Sequence, residues 1–284
     1  MAEPVHITTD DGFALAGNHH PARGDSKGWV VINSAMGVEQ GFYSSFAAHL
    51  AEKGFDALTW DYRGIAKSRP APHEPFGLLT WAECDIEGAL KWAFARTDKV
   101  MVVGHSLGTQ LLGFAESAAK LTAVVGVGSQ SGDWRNWPFP ASLGMLALSG
   151  VVLPGVSTAF GKIPKGLMGE EIPKGPILDW ARWIRSPGYL LSEGERVPRL
   201  FGRLTCTMTG VSVDDDRYAP RRAVDALYRI YSNARVERTH LVPRQLGLKS
   251  LGHFGPFRRQ VRDAVWPLLV RPLEAAVEPY ARAG

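Results

Sequence analysis

The sequence predicts an α/β protein: a mostly parallel, eight-stranded sheet covered by helices on both faces and interrupted by one long insertion. Three observations carry that expectation. Short apolar runs alternate with amphipathic stretches over residues 1–130, and the same alternation resumes over 200–284. Between them, residues 131–199 lose the rhythm and become rich in Pro, Gly and Trp. Finally, "KVMVVGHSLGTQLLGF" (99–114) passes from β-branched residues through a Gly-x-Ser-x-Gly turn into a helical pattern.

The elements follow in order. "VHITTDDGFALAGNHH" reads as two strands joined at Asp11-Gly12, a hairpin signal. "GWVVIN" (28–33) is a short apolar strand, and "FYSSFAAHLAEKG" after it is a helix stopped by Gly54. "FDALTW" is the next strand, "WAECDIEGALKWAFA" a helix and "KVMVVG" a strand. The helix after Ser106 is expected to run to about Lys120, and "LTAVVGVG" is a further strand. Beyond the insertion come a strand in "RLTCTMTGVSV", a helix opening at Pro220, a strand near "RVERTHLV" and helices after Phe254 and Pro272. The core is thus assigned to 1–130 and 200–284, and 131–199 to a lid or cap.

Composition narrows the class. Of the 284 residues, 45% are hydrophobic and 21% charged, which supports a full core and excludes wholesale disorder. The net charge of +4 is scattered, with no basic block interleaved with aromatics, so nucleic acid is not an expected partner. The cysteines, Cys84 and Cys206, form no disulfide framework. "MAEPVHITTDDG" lacks the pattern of a signal peptide, so a cytoplasmic location is expected. The run 136–161 carries no charge, but its three prolines and its glycines and serines argue against a membrane span. It is expected to be buried or to line a pocket.

A serine between glycines at a strand-to-helix corner has a chemical reading. Gly104 and Gly108 let the backbone close sharply and push the Ser106 side chain outward. A hydroxyl is a weak nucleophile at neutral pH and needs a base oriented by an acid. In this architecture the acid and then the histidine follow the serine along the chain. "MTGVSVDDDRYAP" offers Asp214, Asp215 and Asp216, of which one orients the base, because burying several ionised carboxylates would cost several kcal/mol each. His253, in the glycine-flanked loop "LKSLGHFGPFRR", is the candidate base. His105 adjoins the nucleophile but is expected to point elsewhere, and His240 lies within a strand pattern. No spaced ligand set accompanies the aspartates, so no metal is expected, nor any organic cofactor.

The residues "GHSLG", "DYRG", "DDDRYAP" and "GHFGPFR", in this order, resemble the α/β-hydrolase superfamily, and within it a bacterial branch of hydrolases related to serine esterases and S33-type peptidases. The resemblance implies that fold over nearly the whole chain outside the lid. It implies Ser106 as nucleophile and His253 as base. It implies Asp216, four residues before Pro220, as the acid, with Asp215 next in line. The oxyanion hole resembles one made by the backbone N–H groups of Leu107 and Met36, Ala35 being the alternative to Met36. Departures are Ser34-Ala35 where a His-Gly pair is usual, Ala66 where glycine is frequent, and Thr109 in place of a common glycine.

The reaction expected is cleavage of a carboxylic ester, a thioester or an amide being less favoured, of a small apolar acyl substrate through an acyl-enzyme. Two alternatives share the architecture: an acyltransferase or carbon–carbon bond hydrolase with the same triad, and a ligand-binding homologue without turnover. Asp61 and Arg63 are expected to form a loop-stabilising pair, and Arg258, Arg259 and Arg262 a solvated face.

Overall fold

A computed structural model of the chain describes residues 2–71 and 75–278. The strands are β1 (Glu3–Thr8), β2 (Ala14–His20), β3 (Trp29–Asn33), β4 (Asp56–Trp60), β5 (Val100–His105) and β6 (Ala123–Val127), then β7 (Lys162–Ile163), β8 (Ile172–Pro173), β9 (Thr207–Val213) and β10 (Arg235–Leu241). All but β7 and β8, which pair with each other, form one eight-stranded sheet in the order β1-β2-β4-β3-β5-β6-β9-β10. In that sheet the β1–β2 hairpin and the β2–β4 pair are antiparallel and the other pairings parallel, while β7 and β8 pair antiparallel.

The helices are α1 (Ser44–Glu52), α2 (Leu78–Thr80), α3 (Glu87–Phe94), α4 (Leu107–Gln110), α5 (Ala141–Ala147), α6 (Leu153–Phe160), α7 (Lys174–Arg185), α8 (Arg196–Phe201), α9 (Arg221–Tyr228) and α10 (Arg262–Val277). Strand alternation decides how they are shared between the faces. Val30 and Ile32 of β3 pack with Phe46 and Leu50 of α1 and Leu269 of α10. Val31, one residue out of phase, belongs to the other core, with Leu90 of α3 and Leu227 of α9.

Three local expectations give way to tertiary packing. After Ser106 there is no long helix: α4 spans four residues and is followed by 3₁₀ turns Leu112–Phe114 and Glu116–Lys120. The Tyr231 hydroxyl donates to the Thr109 carbonyl at 2.6 Å, drawing off an acceptor the helix would have used, and Ala115 is extended. At the C-terminus, α10 runs through Pro267 and Pro272 instead of restarting after Pro272. Its buried face, including Val265, Trp266 and Leu269, offsets the lost backbone bonds. Lastly, the apolar run expected to be buried or pocket-lining is an exposed helix. α5, a π-helical run Leu148–Val152 and α6 are continuous over Ala141–Phe160, the one helix among the described residues long and apolar enough to cross a membrane.

The segment between β6 and β9 lies outside the sheet order and holds β7, β8 and α5 to α8. Its Trp183 is fully buried, stacked near Phe114 of the core and edge-on to Tyr189.

Candidate active site

The chain leaves β3 for β4 on one side and returns to β5 on the other, so the ends of β3 and β5 form the crevice where the winding direction reverses. The loop 34–37 leaves β3 there, and Ser106 leaves β5 beside it. Ser106 has φ 51° and ψ −111°, a conformation side chains rarely adopt and the backbone form of a sharp corner. The flanking glycines are required by space. A Cβ on Gly104 would stand 2.8 Å from the Thr109 nitrogen, and one on Gly108 would stand 2.7 Å from the Asn33 carbonyl carbon. Asn33 Nδ2 also donates to the Gly108 carbonyl at 3.2 Å, locking the end of β3 to the start of α4.

The neighbours come from the far side of the sheet. The Ser106 N–H donates to the Val127 carbonyl at 2.9 Å, holding the serine against the end of β6. The next residue, Gly128, has φ 60°, and a Cβ there would lie 3.1 Å from His253 Nδ1 and 3.2 Å from Asp216 Oδ2. His253 Nδ1 and Asp216 Oδ2 are 2.7 Å apart and largely buried. The other carboxylate oxygen, Oδ1, accepts from the N–H groups of Tyr218 and Ala219 at 2.8 and 3.0 Å. An ionised carboxylate only accepts, so Nδ1 of His253 carries the proton and Nε2 keeps its lone pair. Among the described residues, neither Ser106 Oγ nor His253 Nε2 hydrogen-bonds to protein.

The other aspartates are engaged elsewhere. Asp215 accepts the N–H groups of Leu251 and Gly252 at 2.9 and 2.8 Å, bracing the loop that carries His253. Asp214 faces His240 at 3.4 Å. Within loop 34–37, the Ala35 N–H is taken by the Tyr43 hydroxyl at 3.0 Å, whereas the Met36 N–H meets no acceptor among the described residues. The Leu107 N–H is at the first position of α4, where helix geometry provides no partner. With only four residues in α4, its dipole adds less at this corner than a long helix would.

His105 proves to be built into this arrangement. Its Nε2 lies 3.0 Å from the His253 carbonyl, which only accepts, so Nε2 holds the proton. Its Nδ1 therefore accepts from the Tyr43 hydroxyl at 2.8 Å, and Tyr43 in turn accepts from Ala35. Burial, reinforced by nearby His253, holds His105 well below the usual histidine range and so neutral. One buried chain thus ties the β3 loop, the serine corner and the histidine loop together. Sequence reasoning missed Tyr43, whose place in an apolar helical pattern marks it as ordinary core. Ser129 Oγ and Gln130 Oε1, just past Gly128, are buried without a hydrogen-bond partner among the described residues and were also overlooked.

The "DYRG" residues brace separate places and do not pair with each other. Asp61 accepts from the Gln40 backbone and side chain at 2.7 and 2.9 Å. Arg63 meets Asp85 at 2.6 Å and Asp11 at 2.5 Å. Ala66, at the position where glycine is frequent, has φ 39°. Arg258 and Arg259 are exposed, whereas Arg262 pairs with Glu52 at 2.5 Å. Cavities of 320 and 440 Å³ lie away from Ser106, the first beside Tyr189 and the second beside Arg199.

A model of the alpha/beta hydrolase family matches residues 19–266. No curated relative matches the chain by sequence. Among solved structures, a soluble variant of monoglyceride lipase from Saccharomyces cerevisiae is similar with a TM-score of 0.70 at 13% identity, over 98% of this chain and 96% of that one. An esterase from Exiguobacterium antarcticum gives 0.65 at 16% identity, over 96% of this chain and 100% of its own. A thermophilic esterase from Thermogutta terrifontis gives 0.63 at 14%, over 97% and 100%. At such identities the likeness is one of fold.

Proposed function

Because the chain belongs to the alpha/beta hydrolase family, we propose that it is a serine hydrolase acting on a carboxylic ester with an apolar acyl group. The observation that carries this reading is Ser106 on its positive-φ corner, its N–H held by the Val127 carbonyl one residue before Gly128, against which the His253–Asp216 pair meets at 2.7 Å. His253 Nε2 takes the Ser106 proton as the oxygen attacks the carbonyl, and Asp216 holds the required tautomer and stabilises the imidazolium. The Met36 and Leu107 N–H groups meet the developing oxyanion, each such donor being worth about 2.7–4 kcal/mol in comparable sites. His253 then passes its proton to the departing alcohol, and water attacks the acyl-enzyme by the same route in reverse. The esterase and lipase names among the structural neighbours favour an ester over other carbonyl substrates. The segment 131–199 acts as a lid over the acyl group.

The test is labelling by a fluorophosphonate probe together with a panel of esters of increasing acyl length. The parent protein is expected to label and to turn over esters, while a folded Ser106→Ala variant does neither. A parent that stays unlabelled, or equal turnover by the variant, overturns the proposal.

A further inference from the structure

The helix Ala141–Phe160 is turned inside out for a protein in water. Its buried positions include Ser149 and Ser157, whose hydroxyls bond back to the carbonyls of Met145 and Pro154 on the same helix. Its solvent side presents Leu143 at 51%, Val151 at 71% and Phe160 at 64% exposure. Phe139, just ahead of the helix, is 80% exposed, and Leu167, just beyond it, 65%. So many large apolar side chains exposed along one segment mark an interaction site.

Length and composition point to the occupant, because the helix is long and apolar enough to cross a membrane. From Trp134 to Gly169 there is no acidic residue, and the basic residues Arg135, Lys162 and Lys165 stand at the two ends of the apolar stretch. Asp133, Glu171 and Glu170 pair with these three cations, so the apolar surface is the main attraction and the charges add to it. Paired in this way, the cations do not exclude a second copy, and dimerisation is one of the outcomes that the experiment below reads. An anionic or zwitterionic lipid surface accepts both the apolar face and the flanking cations, whose stems reach the headgroups. Spanning is disfavoured, because α6 is packed along α7 through its Leu153 and Ser157 side.

We propose that this face seats the protein on a lipid bilayer, the helix lying in the plane of the interface. The placement also bears on the site, and this part rests on the function proposed above. Before the helix, Trp137 Nε1 donates to the Arg217 carbonyl at 3.1 Å, one residue from Asp216. After it, the Glu170 N–H donates to the Gly37 carbonyl at 2.7 Å, one residue from Met36. The apolar helix is therefore slung between an anchor at the acid loop and one at the oxyanion loop, and seating it on lipid brings the site to where acyl chains reside.

Co-sedimentation of the full chain with phosphatidylcholine vesicles, and with vesicles that also contain phosphatidylglycerol, tests the seating without any substrate. The parent and Ser106→Ala are expected to bind both kinds, the anionic kind more tightly. Leu143→Asp/Val151→Asp, altered only at exposed positions, is expected to bind at least about tenfold more weakly while keeping its circular dichroism and its thermal unfolding midpoint. Absence of vesicle binding by the parent, or equal binding by the double variant, overturns the proposal. So does a concentration-dependent dimer that the double variant abolishes without any vesicle binding. Loss of ester turnover leaves the vesicle result standing, so the two proposals fail separately.

Discussion

Replacing Tyr43 with Phe removes one oxygen from the middle of the chain that runs from Ala35 to His253. The ring still fills its place against His105 and Phe257, 5.9 and 5.0 Å away between centroids, so packing is kept. What is lost is the partner of two fully enclosed groups, the Ala35 N–H at 3.0 Å and the lone pair of His105 Nδ1 at 2.8 Å. A satisfied hydrogen bond contributes about 0.5–1.5 kcal/mol net, but leaving a buried group unpaired costs about 1–3 kcal/mol. Tyr43 and His105 are both fully buried, so water does not repair the loss. Destabilisation of about 2–4 kcal/mol follows, which lowers Tm by about 3–7 °C in a domain of this size. Catalysis should suffer separately. On the proposed mechanism, once Ala35 is released the adjacent Met36 N–H loses its fixed position, and part of an oxyanion donor's ~2.7–4 kcal/mol is forfeited. About a tenfold fall in kcat with KM nearly unchanged is expected, because that contact forms only in the transition state. Calorimetry and ester kinetics on Tyr43→Phe check both. A Tm within about 1 °C of the parent would refute the buried-chain argument, and a normal kcat in a destabilised protein would refute the link to Met36.

Two further expectations concern acid and pH. Asp216→Asn should lower kcat about 10⁴-fold by presenting the wrong tautomer partner to His253, whereas Asp215→Asn, which still accepts one loop N–H, should cost only about 1–2 kcal/mol of stability and little turnover; ester kinetics with urea titration separates them. Stability should fall as pH drops below about 6.5, because burial holds His20 at about 4 and keeps His49 and His105 below the normal range, so the unfolded chain takes up protons that the native one refuses. Asp85 opposes them with one proton, since burial pushes it up to about 7 and the native state gains stability as that carboxyl protonates. His20→Leu should flatten the fall by about 1.4 kcal/mol per pH unit between about 6.5 and 4, read from urea unfolding at several pH values.

What the sequence determined by itself was everything governed by local periodicity and backbone geometry. Apolar β-branched runs such as "KVMVVG" and "LTAVVGVG" have to be buried strands, and Gly12 and Gly54, with φ 82° and 87°, end elements where only glycine is comfortable. The Gly104–Ser106–Gly108 corner is legible for the same reason, since its spacing alone demands close backbone approach. Asp216 and His253 were legible as candidates through chain order, but their 2.7 Å meeting belongs to the ends of separate sheet segments. Tertiary structure alone decided the strand order, because crossovers and not local patterns choose a strand's neighbours. It decided that Arg63 would turn from Asp61 to Asp85 and Asp11, and that Tyr231 would end the helix after Ser106. It decided, too, that Tyr43 and His105 would bridge the β3 loop and the histidine loop. A hydrogen bond acts over about 3 Å in space and is blind to separation along the chain, whereas a sequence pattern records only neighbours. For that reason the apolar composition of Ala141–Phe160 was visible from the start, while its exposure was not.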